Sequence, residues 1–125
     1  MDRTGKGSVG RVGEDAACRY LEGLGHTILE RNWRSGHLEI DIITLASDGL
    51  HIIEVKTRVA PVAHAPEENV DASKRRKLTS AALRYLHSGR VPGDVEVFFD
   101  IVTVVLDGSK TDIKWFPGAW IPIYV

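Results

Sequence analysis

The chain has 125 residues, a formal net charge of −1 at pH 7 and 26% charged residues. This length suits one domain with one core, and the near-neutral charge excludes a globally basic nucleic-acid-binding protein, so such binding would need a local patch. The single cysteine, Cys18, excludes an intrachain disulfide. The chain also has no signal-peptide-like start and no apolar run of membrane-spanning length. Together these features predict a cytoplasmic protein without membrane contact.

The predicted elements mix helices and strands along the whole chain. In chain order we expect a flexible arm over 1–7, a helix over 8–24 capped by Ser8, a strand over 26–32, hairpin strands over 38–43 and 53–58, a mobile loop over 59–70, a helix from 71 or 73 to 89, and strands over 95–106 and 112–116. This order predicts a single domain over 1–125 with a mixed sheet covered by helices, in the α/β or α+β class.

The hairpin places charged residues inside β-branched apolar runs, where charges are costly unless they are paired or bind a metal. Asp48-Gly49 predicts a two-residue primed turn closed by Ser47 and Leu50. The pairs that follow are Asp41 with Lys56, Glu39 with Arg58, and Ile43 with Glu54. In this register Asp41, Glu54 and Lys56 share one face, and the other face is a core face made of Ile40, Ile42, Ile53 and Val55.

Two interpretations of this polar face fit its spacing equally well. Asp41 and Glu54 could hold a hard divalent cation such as Mg²⁺, which prefers oxygen ligands, with Lys56 adding a positive charge beside a phosphate. Alternatively, Asp41 and Lys56 form an exposed cross-strand ion pair, which would be common and weakly stabilising.

Three further charged groups of the sequence each have two possible roles. Glu14 lies on the apolar side of the first helix, either at its edge, reaching water, or as a third acid near the hairpin. The cations of residues 74–77 begin the second helix, where the macrodipole disfavours them, so they serve either solubility or a phosphate partner. Asp100 interrupts an apolar strand, and a structural partner such as an arginine is favoured over a catalytic role.

Several motifs together resemble the bacterial YraN-like family of uncharacterised proteins. They are Gly13-Glu14-Asp15-Ala16-Ala17, Asn32-Trp33-Arg34, Glu39-Ile40-Asp41-Ile42-Ile43, Glu54-Val55-Lys56-Thr57-Arg58, Lys74 and Phe99-Asp100-Ile101-Val102. The resemblance spans roughly residues 8 to 106. That family is similar to PD-(D/E)XK nucleases and archaeal Holliday-junction resolvases, which implies a restriction-endonuclease-like core: a central mixed sheet of four or more strands flanked by helices.

The resemblance also implies roles for individual residues. Asp41 and Glu54 become metal ligands with the Val55 carbonyl, Lys56 becomes the catalytic lysine, and Glu14 becomes the helical acid that completes the site. Two positions depart from the patterns: Ile40 replaces the superfamily's proline, which is usual for this subgroup, and Leu38 replaces a family glycine. The second change alters backbone freedom at the strand entry, near substrate access.

These observations predict a Mg²⁺- or Mn²⁺-dependent endonuclease acting on DNA, with branched DNA as one substrate class and a symmetric homodimer as a suitable assembly for two cuts. The residues expected to contact DNA are Arg34, Arg58, Lys74, Arg75 and Lys77. The alternatives are a non-catalytic nucleic-acid-binding module, or a partner protein of the DNA-processing machinery, on the same scaffold.

Overall fold

A computed structural model of the chain describes residues 7–62 and 70–122. Its elements are α1 (Ser8–Gly23), β1 (Thr27–Ser35), β2 (Leu38–Ala46), β3 (Gly49–Val59), α2 (Ala72–His87), β4 (Val97–Asp107) and β5 (Lys110–Trp120). Residues 1–6 of the predicted arm and 63–69 of the predicted loop lie outside the described residues. The loop also begins later than expected, because β3 continues to Val59.

The five strands form one mixed sheet in the order β1-β2-β3-β4-β5. Neighbours are antiparallel except for β3 and β4, which run parallel from Leu50↔Val97 to Val59↔Leu106. The parallel pair requires a crossover, and α2 supplies it between the two strands. The predicted mixed sheet of four or more strands flanked by helices, an α/β fold, is confirmed.

Each helix covers a separate apolar cluster on the sheet. The α1 cluster comprises Ala16, Ala17, Cys18, Leu21, Ile42, Ile53, Val102 and Val104. The α2 cluster comprises Leu38, Ile40, Ile43, Leu50, Ile52, Val70, Leu78, Ala81, Ala82, Tyr85, Phe99, Ile101 and Trp120. Burial of these side chains on both faces is the main stabilising contribution to the fold.

Gly13 sets how closely α1 approaches the sheet. A Cβ at this position would lie 1.9 Å from Thr57 Oγ1 on β3, far inside any real contact distance. The residue next to it, Glu14, is thereby held close to the strand that carries Glu54 and Lys56. By contrast Val9 and Val12, which share the helical apolar spacing, are about half exposed, at 42% and 48%.

The two helix starts differ in how they are capped. Asp71, one of the two predicted starts of the second helix, is the N-cap of α2, and its Oδ1 accepts the Lys74 N–H at 2.9 Å. The predicted Ser8 cap of α1 is wrong, because Gly7 occupies the N-cap position without a side-chain hydrogen bond. Ser8 is instead the first residue of the helix.

The β2–β3 loop lies one residue earlier than predicted, which shifts the pairing of the two strands by two residues. Its loop is Ser47-Asp48, closed by the pair Ala46↔Gly49, so Asp48-Gly49 is not the central dipeptide. Gly49 is required at the start of β3 because an added Cβ would lie 2.4 Å from the Glu96 carbonyl oxygen. That oxygen also accepts the Leu50 N–H at 2.8 Å. Gly49 is therefore constrained by a contact with a residue distant in sequence.

Candidate functional site

The pairs predicted for the hairpin are wrong, because the observed register is shifted by two residues. Ile43 lies opposite Ile52, and the ladder runs from Ala46↔Gly49 to Ile42↔Ile53. One step beyond its last pair, Asp41 comes opposite Glu54 rather than Lys56. There the Asp41 side chain bonds to the main chain of β3, because its Oδ2 accepts the Val55 N–H at 2.9 Å.

Glu54 and Lys56 project from the α2 face of β3. This follows from strand alternation, since Ile52 belongs to the α2 cluster while Ile53 belongs to the α1 cluster. The Glu54 side chain is 16% exposed, and its Oε2 lies 3.8 Å from Lys74 Nζ. The Asp41 residue is 5% exposed. The buried carboxylate of Asp41 and the nearly buried carboxylate of Glu54 thus lie on neighbouring strands, where β2 and β3 stop pairing.

The predicted core face of the hairpin is only partly correct, because the alternation of β2 breaks at Asp41. Ile40 packs in the α2 cluster, whereas Ile42, two residues later, packs in the α1 cluster. The same break occurs in β1, where Trp33 contacts Tyr85 of α2 edge-to-face and Arg31 contacts Asp15 of α1. Trp33 is therefore engaged in packing rather than available for stacking on a base.

Glu14 is buried, at 2% exposed, on the inner side of α1. Its Oε1 lies 4.0 Å from Arg31 Nη2, and the same nitrogen donates to Asp15 Oδ1 at 2.7 Å. Burial acts to lower the pKa of Arg31, but the hydrogen bond with Asp15 and the neighbouring negative charges raise it overall. Arg31 therefore keeps a positive charge beside the two acids of α1.

The predicted DNA-contacting cations have diverse surroundings. Arg34 makes a salt bridge with Glu39, with Nη2 2.7 Å from Oε2. Arg75 is used structurally, since its Nε donates to the Val70 carbonyl at 2.7 Å and its guanidinium lies 5.9 Å from the Trp120 ring centroid. Arg58 and Lys77 are exposed, and Lys74 is half-buried.

The oxygen atoms present where β2 and β3 stop pairing meet the needs of a hard cation only in part. Asp41, Glu54 and the Val55 carbonyl supply oxygen ligands, and Mg²⁺ is often held by one or two carboxylates with water completing its shell. However, residues 7–62 and 70–122 contain no group of three or more His, Cys, Asp or Glu placed to hold a metal ion. Such a group therefore does not bring Glu14 together with Asp41 and Glu54, and the role of Glu14 as the acid that completes the site stays a prediction.

A second polar cluster, which the sequence did not predict, lies around Asp100 on the α1 side. Asp100 Oδ2 contacts His51 Nδ1 at 2.5 Å and accepts the Trp115 indole N–H at 3.0 Å. Its Oδ1 accepts the Gly118 N–H at 2.9 Å. Asp100 therefore has structural partners, as predicted, but a histidine takes the place of the expected arginine.

The other side of His51 completes this cluster. His51 Nε2 contacts Asp48 Oδ1 at 2.8 Å, and the His51 ring stacks on Phe98. Burial acts to lower the pKa of His51, but the hydrogen bonds with Asp100 and Asp48 raise it overall. Burial and the neighbouring His51 lower the pKa of His26. Alternation could have found His51, since it falls at an inward position of an apolar strand.

The comparisons with known proteins identify a family. The profile of the uncharacterised protein family UPF0102 matches residues 13–104. A UPF0102 protein of Bacteroides thetaiotaomicron is 40% identical over 114 residues, covering 91% of this chain and 93% of the relative. One from Porphyromonas gingivalis is 43% identical over 107 residues, covering 84% and 78%, and one from Solibacter usitatus is 42% identical over 113 residues, covering 89% and 84%.

Within the described ranges, neither α1 nor α2 is long and apolar enough to cross a membrane. The matched segment contains α1 from Gly13 onwards, all of β1 to β3, α2 and most of β4, and therefore both Asp41 and Glu54. With the profile covering well over half of the chain and relatives above 30% identity over most of its length, the chain belongs to the UPF0102 family.

Proposed function

We propose that the chain is a metal-dependent endonuclease that hydrolyses phosphodiester bonds of DNA, with branched or otherwise structured DNA as its substrate class. The observation that carries this proposal is that Asp41 and Glu54 lie opposite each other on neighbouring strands, where β2 and β3 stop pairing. Lys56 follows Glu54 on the same face of β3. Two carboxylates and an ammonium at a strand divergence fit phosphate chemistry better than they fit core packing.

The residues have distinct tasks in this reaction. Mg²⁺ or Mn²⁺, held by Asp41, Glu54 and the Val55 carbonyl, would stabilise the charge that develops on the phosphate. Lys56 orients the attacking water and offsets negative charge nearby. The water oxygen bonds to phosphorus, one P–O ester bond breaks, the water proton passes to solvent or a neighbouring base, and the leaving oxygen takes up a proton. Glu14, beside Arg31, contributes to the field of the site from α1 rather than as a ligand.

The substrate assignment rests on the start of α2. Its first turn carries no acidic residue and begins the run of four cations at 74–77, of which Arg76 and Lys77 are exposed. Lys74 lies 3.8 Å from Glu54, so this basic turn adjoins the acids. A phosphate backbone placed on the turn would reach the candidate site directly, and its affinity would fall as salt rises. A cytoplasmic location and a symmetric dimer would suit such an enzyme.

One observation favours the rival proposal of a non-catalytic DNA-binding module or partner protein. The described residues hold no three-member group of metal-ligating side chains, and the Lys74 ammonium lies close to Glu54. On this proposal Glu54 would serve to position the basic turn of α2. The two proposals differ in whether Glu54 is needed for cleavage or only for the placement of Lys74.

The test compares cleavage of four-way-junction, flapped and linear DNA by the wild type and by Glu54→Gln, with Mg²⁺, with Mn²⁺ and with EDTA. The proposal expects metal-dependent cutting by the wild type, loss of cutting by about 10²-fold or more in Glu54→Gln, and retained DNA binding by both. Exposed Glu22→Gln on α1 is the matched control and should cut as the wild type does. Binding without any metal-dependent cutting by the wild type would instead establish the rival.

A further inference from the structure

Asn32 has an unusual backbone conformation for a residue in a strand. Its φ is 52°, and it is the one non-glycine residue with positive φ in the described ranges. Asparagine tolerates this left-handed region better than most residues, because its short amide can satisfy local hydrogen bonds. The conformation reverses the faces of the flanking side chains, sending Arg31 towards α1 and Trp33 towards α2.

The sheet register places Asn32 next to the candidate site. The β1–β2 ladder pairs Arg31 with Ile42 and Trp33 with Ile40, so Asn32 lies directly opposite Asp41. Across β2, Asp41 in turn lies opposite Glu54. Three polar residues on three adjacent strands thus form one transverse row, Asn32–Asp41–Glu54, at the point where the regular alternation breaks.

The Asn32 carboxamide oxygen is buried and finds no hydrogen-bond partner among the described residues. Buried carbonyl oxygens are nearly always hydrogen-bonded, so an acceptor without a partner among the described residues, in a row with two acids, calls for a donor from outside those residues. A bare phosphate cannot be that donor, because it is itself an acceptor. A water molecule polarised by a cation is a strong donor, and Mg²⁺ keeps several such waters.

We propose that Asn32 is a positioning residue that accepts a hydrogen bond from a water in the hydration shell of the cation held by Asp41 and Glu54. This inference rests on the proposed metal-dependent function. A neutral amide suits the task because it orients the water without adding a third negative charge beside the two acids. The positive φ of Asn32 lies in the same transverse row as the two acids, at the point where the side chains of β1 change faces.

The experiment separates the backbone of Asn32 from its side chain. Asn32→Gly keeps the left-handed backbone and removes the amide oxygen, whereas Asn32→Asp keeps an acceptor of the same length in a residue that also tolerates this region. The dissociation constant for Mn²⁺ is measured by titration calorimetry for the wild type, both variants and Asp41→Asn. Thermal unfolding without metal is measured in parallel.

We expect Asn32→Gly to weaken Mn²⁺ binding by roughly 10–100-fold, as is typical when a residue that orients a ligand is removed. Asn32→Asp should bind as tightly as the wild type or more tightly, and the melting temperature of Asn32→Gly should stay close to that of the wild type. The inference is overturned if Asn32→Gly binds Mn²⁺ like the wild type while Asp41→Asn does not. If the wild type and Asp41→Asn bind Mn²⁺ equally weakly, the metal site fails as well, and both proposals fall.

Discussion

Two carboxylates interrupt apolar strands of this sheet, Asp41 on β2 and Asp100 on β4, and their surroundings differ. Asp100 pairs with Ile53 of β3 and lies at the register shift between β4 and β5, where both of its oxygens contact side-chain or main-chain groups of these neighbouring strands. Asp41 lies where pairing between β2 and β3 ends, and it adjoins a second acid. Both carboxylates therefore lie at irregularities of the sheet, and the neighbouring groups distinguish the two cases: a histidine, an indole and a main-chain N–H contact Asp100, whereas Asp41 lies opposite a second acid.

The largest expected loss of stability comes from Asp100→Asn. The amide would leave His51 without its buried carboxylate, and breaking a buried pair of this kind typically costs about 3–5 kcal/mol of unfolding free energy. Urea unfolding followed by circular dichroism measures the change. Asp112→Asn, exposed on the edge strand β5, is the matched control and should change stability by less than about 0.5 kcal/mol. A loss at Asp100 no larger than at Asp112 would show that this cluster does not hold β3, β4 and β5 together.

The next largest effect is expected at Gly13, which sets the approach of α1 to β3. Gly13→Ala would force a Cβ against the Thr57 side chain, and overpacking of this kind costs about 1–3 kcal/mol. Gly23→Ala is the control in the same helix, because no atom lies within 4 Å of the added Cβ, and it should stabilise by roughly 0.5–1 kcal/mol through helix propensity. Opposite signs for the two alanines, measured by urea unfolding, would confirm the close contact, and equal signs would contradict it.

A smaller effect is expected in the pH dependence of stability. The folded pKa of His51 is raised above its usual 6.5, so its contribution is fully present below about pH 6.5 and is lost as pH rises through the folded value. His26, whose pKa is lowered, contributes with the opposite sign. Unfolding free energy measured from pH 5.5 to 8.5 should therefore fall less steeply in His51→Gln than in the wild type. Identical slopes would show that His51 does not gain a proton on folding.

The order of helices and strands follows from periodicity, and the α2 cap follows from Asp71, because these depend on neighbouring residues. The place of Gly49 could not be read from Asp48-Gly49 alone, since Gly49 lies against the Glu96 carbonyl, 47 positions further along the sequence. That Asp41 and Glu54 are neighbours across the two strands was nevertheless predictable, because a shift of two residues only changes them from diagonal to directly opposite positions. The break at Asn32 and Asp41 was not, because a left-handed residue inside a strand leaves no periodic signal.

The smallest change in stability is expected for Asp41→Asn, and this variant most directly tests the comparison with Asp100. The amide oxygen can still accept the Val55 N–H, and removing one charge reduces repulsion with Glu54, so unfolding free energy should change by less than about 1 kcal/mol or rise. Metal binding and cleavage should be lost, because a neutral amide is a poor ligand for a hard cation. Urea unfolding and Mn²⁺ calorimetry on the same samples measure both quantities. A loss of stability equal to that of Asp100→Asn would make Asp41 a structural carboxylate, and the difference between the two strands would then carry no functional meaning.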